Sequence, residues 1–255
     1  MNLPPRSYDT LAGVYEWLVP EPLSTPQGAV AAFAAVLDDL PPGARVLDCA
    51  AGTGELAVGL ALRGHDVVAS DASARMVERT RALAAEHGVV LPAVVCAWES
   101  LEHQGWQGSF DAVFCVGNSL AHAGPAPRRR AALAAMAGVL RSGGLLVVTS
   151  RNWELVRHQG PGLQVADHLV ERRGERALVI YGWTLPADPE QALFVDVAVA
   201  RIADDGAVTA SQERLEAWPF ASAQLDTDLR AAGLTPRSST YTADAERYLV
   251  TARRS

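Results

Sequence analysis

The run Val46-Leu47-Asp48-Cys49-Ala50-Ala51-Gly52-Thr53-Gly54-Glu55-Leu56-Ala57 holds the residues best suited to chemistry. An apolar stretch enters a turn of small residues and leaves it as a helical pattern. Gly52 and Gly54 permit positive φ and let a ligand lie against bare backbone. Seventeen residues after Gly54, Asp71 ends a second apolar stretch. Nucleotide-binding α/β folds place a carboxylate there to accept both ribose hydroxyl protons. Gly52-x-Gly54-x-x-Ala57 also fits a dinucleotide fingerprint. That motif aims helix N–H groups at a pyrophosphate, which an acid just before the turn would repel. Asp48 lies four residues before Gly52, which suits a ligand carrying an ammonium and a sulfonium. A tight turn without a ligand is the competing reading.

Alternating strands and helices must position these residues. Strand patterns at Ala44–Cys49, Asp66–Asp71, Val94–Ala97, Phe110–Val116 and Gly144–Ser150 alternate with helical patterns at Glu55–Arg63, Ser73–His87 and Arg128–Leu140. Gly88 is placed to end the second helix. Continuous apolar strands between helices predict a parallel sheet covered on both faces. The pattern changes at about Leu163, where four strand-like runs follow: Leu163–Arg172, Arg176–Leu185, Ala192–Ile202 and Val208–Trp218. Turn residues such as Arg173-Gly174 and Asp204-Asp205-Gly206 join them, and short links allow only antiparallel pairing. A helix at Ser222–Ala232 and two strands near Arg237–Tyr241 and Arg247–Ala252 complete the sheet. The expected division is 1–42 as an N-terminal lid and helix, 43–160 as the α/β core, 161–220 as an inserted antiparallel meander, and 221–255 as completion of the core.

The chain has 22 basic residues, all arginine, and a net charge of −7. No basic stripe exists to neutralise phosphates, so a nucleic-acid partner is not expected. The densest positive cluster, Arg128-Arg129-Arg130, reads as a solvated helix start. Cys49, Cys96 and Cys115 sit in or at the ends of apolar runs without metal-ligand spacing, which predicts no metal and a reducing compartment. No apolar run approaches the ~20 residues needed to cross a bilayer, and Met1 to Thr10 lacks a signal-peptide core. A cytoplasmic protein with no membrane partner is expected.

Four segments together resemble class I S-adenosylmethionine-dependent methyltransferases, and within them the glycine N-methyltransferase and glycine/sarcosine methyltransferase group. They are Asp48–Gly54; Ser70-Asp71-Ala72-Ser73-Ala74-Arg75-Met76; Phe110-Asp111-Ala112-Val113-Phe114-Cys115-Val116-Gly117-Asn118-Ser119-Leu120-Ala121-His122; and Leu145-Leu146-Val147-Val148-Thr149-Ser150-Arg151-Asn152-Trp153. The first two are shared by many methyltransferases; the last two are more specific. The resemblance implies an α/β fold: a doubly wound, Rossmann-like seven-stranded sheet with the meander inserted. It implies S-adenosylmethionine as cofactor, S-adenosylhomocysteine as product, and a small-molecule methyl acceptor. A homo-oligomer is compatible with it.

The same resemblance assigns roles. Asp71 binds the ribose, Ala72 and Met76 flank the adenine, and Ala97 and Trp98 meet its edge and face; plain core packing is the alternative for Trp98. Backbone near Asp48, Ala50, Val116 and Gly117 lines the methionine moiety. Asn118 and Arg151 are the acceptor-binding candidates, the guanidinium fork of Arg151 matching a carboxylate. The competing readings are a turn asparagine at positive φ and a surface or internally paired arginine. His122 is either a base or, more simply, structural. Tyr8 and Tyr15 belong to a lid pattern. The tyrosines of the glycine enzymes are not reproduced: Trp218 stands in place of one, Val197 of another. No arginine follows the lid before Arg45, although glycine methyltransferases use one near there for the cofactor carboxylate. Glycine is therefore disfavoured as substrate. N-methylation of a small amine needs no strong base. O-methylation of a natural product or sugar, or S-adenosylmethionine binding without catalysis, are the alternatives.

Overall fold

The computed structural model describes residues 8, 11–165, 168–172, 174–188 and 191–255. Residues 1–7, 9 and 10 of the expected lid, Arg173 and Pro189 lie outside them. Five strands run parallel: β1 (Arg45–Asp48), β2 (Asp66–Asp71), β3 (Ala93–Val95), β4 (Phe110–Cys115) and β5 (Leu140–Arg151). Two helices precede them, α1 (Pro26–Ala31) and α2 (Ala34–Leu37). Three lie between strands: α3 (Glu55–Leu62), α4 (Ala74–Glu86) and α5 (Ala126–Val139). The meander follows α6 (Trp153–Gln159) and comprises β6 (Gly162–Val165), β7 (Val170–Arg172), β8 (Glu175–Thr184), β9 (Leu193–Ile202) and β10 (Val208–Ala217). The chain then returns through α7 (Ser222–Ala231) to β11 (Leu234–Ser239) and β12 (Arg247–Arg254). The seven-stranded sheet has the order β11-β12-β5-β4-β1-β2-β3, with β12 antiparallel to β5 and β11.

The parallel strands are buried on both faces, as their unbroken apolar runs require. Val46, Leu47, Val113, Phe114, Leu146 and Val147 are all fully buried. Helix starts follow side-chain capping: Ser73 accepts from the Met76 N–H at 3.2 Å and Asn152 from the Leu155 N–H at 3.1 Å. β1, β4 and β5 all end at the same rim, which brings Asp48, the Val116–Asn118 turn and Arg151 together.

The meander is a second, antiparallel sheet in the order β10-β9-β8, with β6 and β7 both on the free edge of β8. Within the expected strand Leu163–Arg172 the described residues form β6 and β7, and residues 166 and 167 lie outside them. Val165 pairs with Ile180 and Val170 with Ala177. The inner face alternates as a half-buried sheet must, with Ala177, Val179, Leu193, Val195, Val197 and Val199 buried against Leu11, Val14, Trp17 and Trp153.

Arg129 is buried, contrary to the reading of its cluster as a solvated helix start. Its guanidinium lies 2.7 Å from Asp228 on α7, with side chains only 4% and 1% exposed. Helical periodicity turns one of three consecutive arginines inward, and Arg128 and Arg130 stay exposed. Among the described residues no helix is long and apolar enough to cross a membrane.

Candidate active site

The glycine turn is held by its neighbours before any ligand arrives. Gly52 has φ +56° and Gly54 φ +98°. A Cβ at Gly54 would stand 2.8 Å from Thr80 Cγ2 and 2.9 Å from Thr80 Cα, so the close approach of α3 to α4 requires glycine there. Thr80 Oγ1 donates to the Gly52 carbonyl at 2.9 Å. The Asp71 carboxylate accepts from the Gly52 N–H and the Ser73 N–H, each at 2.9 Å, which fixes it at the end of β2. The Trp98 indole donates to the Cys49 carbonyl at 2.8 Å, so its ring orientation is set by the backbone of β1.

Three adjoining spaces meet over the rim of the sheet. A cleft of about 610 Å³ is lined by Ala50, Asp71, Ala72, Ala97, Trp98 and His122. A second of about 430 Å³ is lined by Asp48, Gly52, Thr53, Glu55, Val116 and Gly117 beneath Tyr15 and residues of α1. A small inner pocket of about 100 Å³ lies between Tyr8, Asn118, His122, Arg151, Tyr181 and Trp183. Ala50 and Ser119 belong to both clefts; Tyr8 and His122 join the first cleft to the inner pocket, and Tyr15 and Gly117 join the second to it.

Asp48 is 1% exposed, and its Oδ1 has no hydrogen-bond partner. Burial pushes its carboxyl up to about 7, opposed by a hydrogen bond from the Ala50 backbone and reinforced by Asp71 and Glu55. An orphaned carboxylate oxygen beside a cleft fits a cationic ligand group. Burial also raises Glu55, whose oxygens accept from Thr53 Oγ1 at 2.8 and 2.7 Å.

His122 has both ring nitrogens engaged. Nδ1 lies 2.7 Å from the Glu216 carbonyl oxygen and Nε2 2.8 Å from the Tyr8 hydroxyl. A carbonyl oxygen only accepts, so Nδ1 carries the proton and Nε2 accepts from Tyr8. Burial lowers the imidazole pKa and keeps the ring neutral. Burial raises both lid tyrosines, Tyr8 well above its usual range and Tyr15 to about 12. Their rings meet edge to face with centroids 5.8 Å apart. Glu213 on β10 ties this segment down, accepting from the Tyr8 and Leu11 N–H groups at 2.8 and 3.1 Å.

Asn118 adopts φ +72° directly after Gly117 at φ +78°. Its Oδ1 accepts from the Arg151 N–H at 2.9 Å while the residue lines the inner pocket, so it is a turn asparagine and a wall residue at once. The Arg151 guanidinium lies 4.7 Å from the Trp183 ring centroid and forms no ion pair among the described residues. Burial first, then Arg247, lowers its pKa to about 10, with Glu246 opposing.

Two expected site residues lie elsewhere. Met76 is 2% exposed and turns into the core, lining none of the three spaces. Trp218 lines a separate cleft with Arg129, Glu154 and Gln224; its backbone N–H donates to Ala121 O and its indole to Glu216. Val197 does line the inner pocket. Tyr181, Trp183 and Arg247 were missed. The first two continue the inward alternation of Ala177 and Val179 on β8, a signal the sequence carries. Arg247 sits opposite Arg151 in the β12–β5 register, which no local pattern reveals.

A parallel sheet closed by an antiparallel strand pair, with an acid-flanked glycine turn and a fixed acid ending β2, is the seven-stranded methyltransferase fold. Residues 46–144 match the methyltransferase domain family, and the chain carries such a domain. It is 35% identical over 116 residues to the glycine/sarcosine N-methyltransferase of Aphanothece halophytica, an alignment covering 46% of this chain and 43% of that protein. The chain therefore spans less than half the length of that relative. The CcbJ methyltransferase of Streptomyces caelestis shares the fold with a TM-score of 0.74 at 22% identity, covering 97% of each chain. CalS10 of Micromonospora echinaspora, an amino pentose methyltransferase solved with S-adenosylmethionine, gives 0.69 at 20% identity over 100% of this chain and 99% of its own.

Proposed function

We propose that this protein transfers a methyl group from S-adenosylmethionine to the amine nitrogen of a small, amino-acid-like metabolite larger than glycine. The observation that carries the choice of nitrogen is that, among the described residues, the inner pocket has no free base on its walls. None of them is a carboxylate, His122 is neutral with both nitrogens engaged, and the tyrosines are raised rather than poised. A hydroxyl acceptor needs a base to remove its proton; a neutral amine attacks without one.

Asp71 would hold the ribose, Ala72, Ala97 and Trp98 the adenine, and Asp48 the ammonium of the amino-acid end. When bound, the cofactor supplies a sulfonium methyl whose C–S bond breaks as the amine lone pair forms the N–C bond. This chain's residues align the acceptor and exclude water. Tyr8 and Tyr15 roof the junction of the three spaces. The positive charges of Arg151 and Arg247 disfavour a protonated amine beside them, so the acceptor is held in its nucleophilic form. Arg151 forms no ion pair among the described residues, with Glu246 as a nearby negative charge, and would face an acceptor carboxylate. It and Trp183 also border an outer groove of about 300 Å³ lined by Asn152, Gln159, Gln164 and Glu246. That groove leaves room for an acceptor body that the inner pocket cannot contain.

The test is turnover of S-adenosylmethionine against a panel of amino acids, amino sugars and other small amines, with hydroxyl analogues beside them. Methylation of an amine and not of its hydroxyl analogue is expected. Methyl transfer to no amine above background overturns the proposal.

A further inference from the structure

We infer that Arg247 holds the α-carboxylate at the amino-acid end of the cofactor, an assignment that rests on the cofactor reading above. The cleft next to the glycine turn is lined by two acids, Asp48 and Glu55, and by one base, Arg247. A zwitterionic amino-acid end needs counter-charges of both signs. The acids supply one, and among the described residues Arg247 is the cation on the walls of that cleft for the other. The segment walling it from Tyr15 to Phe33 contains neither lysine nor arginine, and none occurs between Tyr15 and Arg45.

The geometry agrees with this inventory. Arg247 opens β12 and pairs with Arg151 across the β12–β5 ladder, so both guanidiniums leave the sheet at its ligand-binding rim. Arg247 is exposed and has no ion pair among the described residues. It is near enough for its charge to act on Tyr15 and Tyr181. Tyr15 in turn lies 3.7 Å from where a Cβ on Gly52 would stand, directly over the turn. Arg247 lines both the inner pocket and this cleft, whereas Arg151 stacks on Trp183 and lines the inner pocket and outer groove but not this cleft. Of the two adjacent cations, Arg247 is therefore the one placed to reach the anion of the cofactor.

Titration calorimetry with S-adenosylhomocysteine and with 5′-methylthioadenosine tests it. The two share adenosine and a thioether, and only the first carries the amino acid. Arg247→Gln is expected to weaken S-adenosylhomocysteine about ten- to a hundredfold, the range of a charged hydrogen-bonding partner. Methylthioadenosine should bind the variant and the parent alike, and Arg247→Lys should recover part of the loss. Undiminished S-adenosylhomocysteine binding in Arg247→Gln overturns the assignment. Equal loss of both ligands, or transfer of the loss to Arg151→Gln, overturns it too. A parent protein that binds neither ligand overturns the cofactor reading itself, and this assignment with it.

Discussion

Asp48 sets a stability cost against a binding role, and the two can be separated by removing its charge. Its carboxyl is raised from 3.8 to about 7, chiefly by burial. At 1.36 kcal/mol per unit, ionising it in the ligand-free fold costs roughly 4 kcal/mol. The sign follows from linkage. The folded state binds this proton more tightly than the unfolded chain, so this group's contribution to stability falls as pH rises from about 4 to about 7. Above that the penalty is constant. Asp48→Asn removes the ionisation while keeping the shape. At pH 8 the ligand-free variant is expected to be more stable than its parent by at least about 2 kcal/mol, part of the full penalty going to the new amide donors. At pH 4 the two should converge. Urea denaturation at both pH values measures this.

The same substitution should weaken S-adenosylhomocysteine roughly thirtyfold, about 2 kcal/mol, through loss of the ammonium's partner. The parent should release close to one proton on binding at pH 6, where Asp48 is mostly protonated when free, and none from this group at pH 9. Calorimetry in buffers of different ionisation enthalpy reads the proton directly. A variant no more stable at pH 8, together with unchanged affinity and no proton release, would refute the reasoning.

Gly54→Ala should lower stability by several kcal/mol, because a positive φ is joined by a Cβ 2.8 Å from Thr80 Cγ2. Gly64→Ala, at φ +87° with nothing within 4 Å, should cost only about 1–2 kcal/mol, and thermal melts of the two variants compare clash with strain. Asp228→Ala strands the buried Arg129 guanidinium and should destabilise by about 3–5 kcal/mol, with S-adenosylhomocysteine affinity in calorimetry unchanged. His122→Gln should lower kcat by less than about a hundredfold, the lower bound for losing a general base. Its pH–rate profile should keep the parent's shape, since a neutral, fully engaged imidazole contributes no titrating limb.

The glycine turn and the acid ending β2 were legible because local rules dictate them. Strands buried on both faces read as apolar runs, a turn at positive φ needs glycine, and the acid ending β2 falls at a set distance from Gly54. What failed depended on direction rather than pattern. Met76 lies in the right segment but its side chain enters the core, and Trp218 ends the right strand but lines a different cleft. Arg129 was hidden among neighbours that do face solvent. The register of β6 and β7 on β8, with Val165 on Ile180 and Val170 on Ala177, is set by pairing across the sheet and by no local pattern.

The acceptor side was less legible for a further reason, which bears on specificity. The cofactor-facing Asp48, Gly52, Asp71 and Trp98 fall within residues 46–144, the stretch shared with the methyltransferase domain. Of the inner-pocket residues, Asn118 and His122 fall inside it, while Tyr8, Tyr15, Arg151, Tyr181 and Trp183 fall outside. The latter come from the N-terminal segment, the end of β5 and the meander, brought to one rim only by the closed fold. A chain can therefore keep the donor site while altering three separated segments to suit a new acceptor. On the proposed reading, acceptor-switching substitutions belong at Tyr181, Trp183 and Val197, which wall the inner pocket, rather than in the glycine turn.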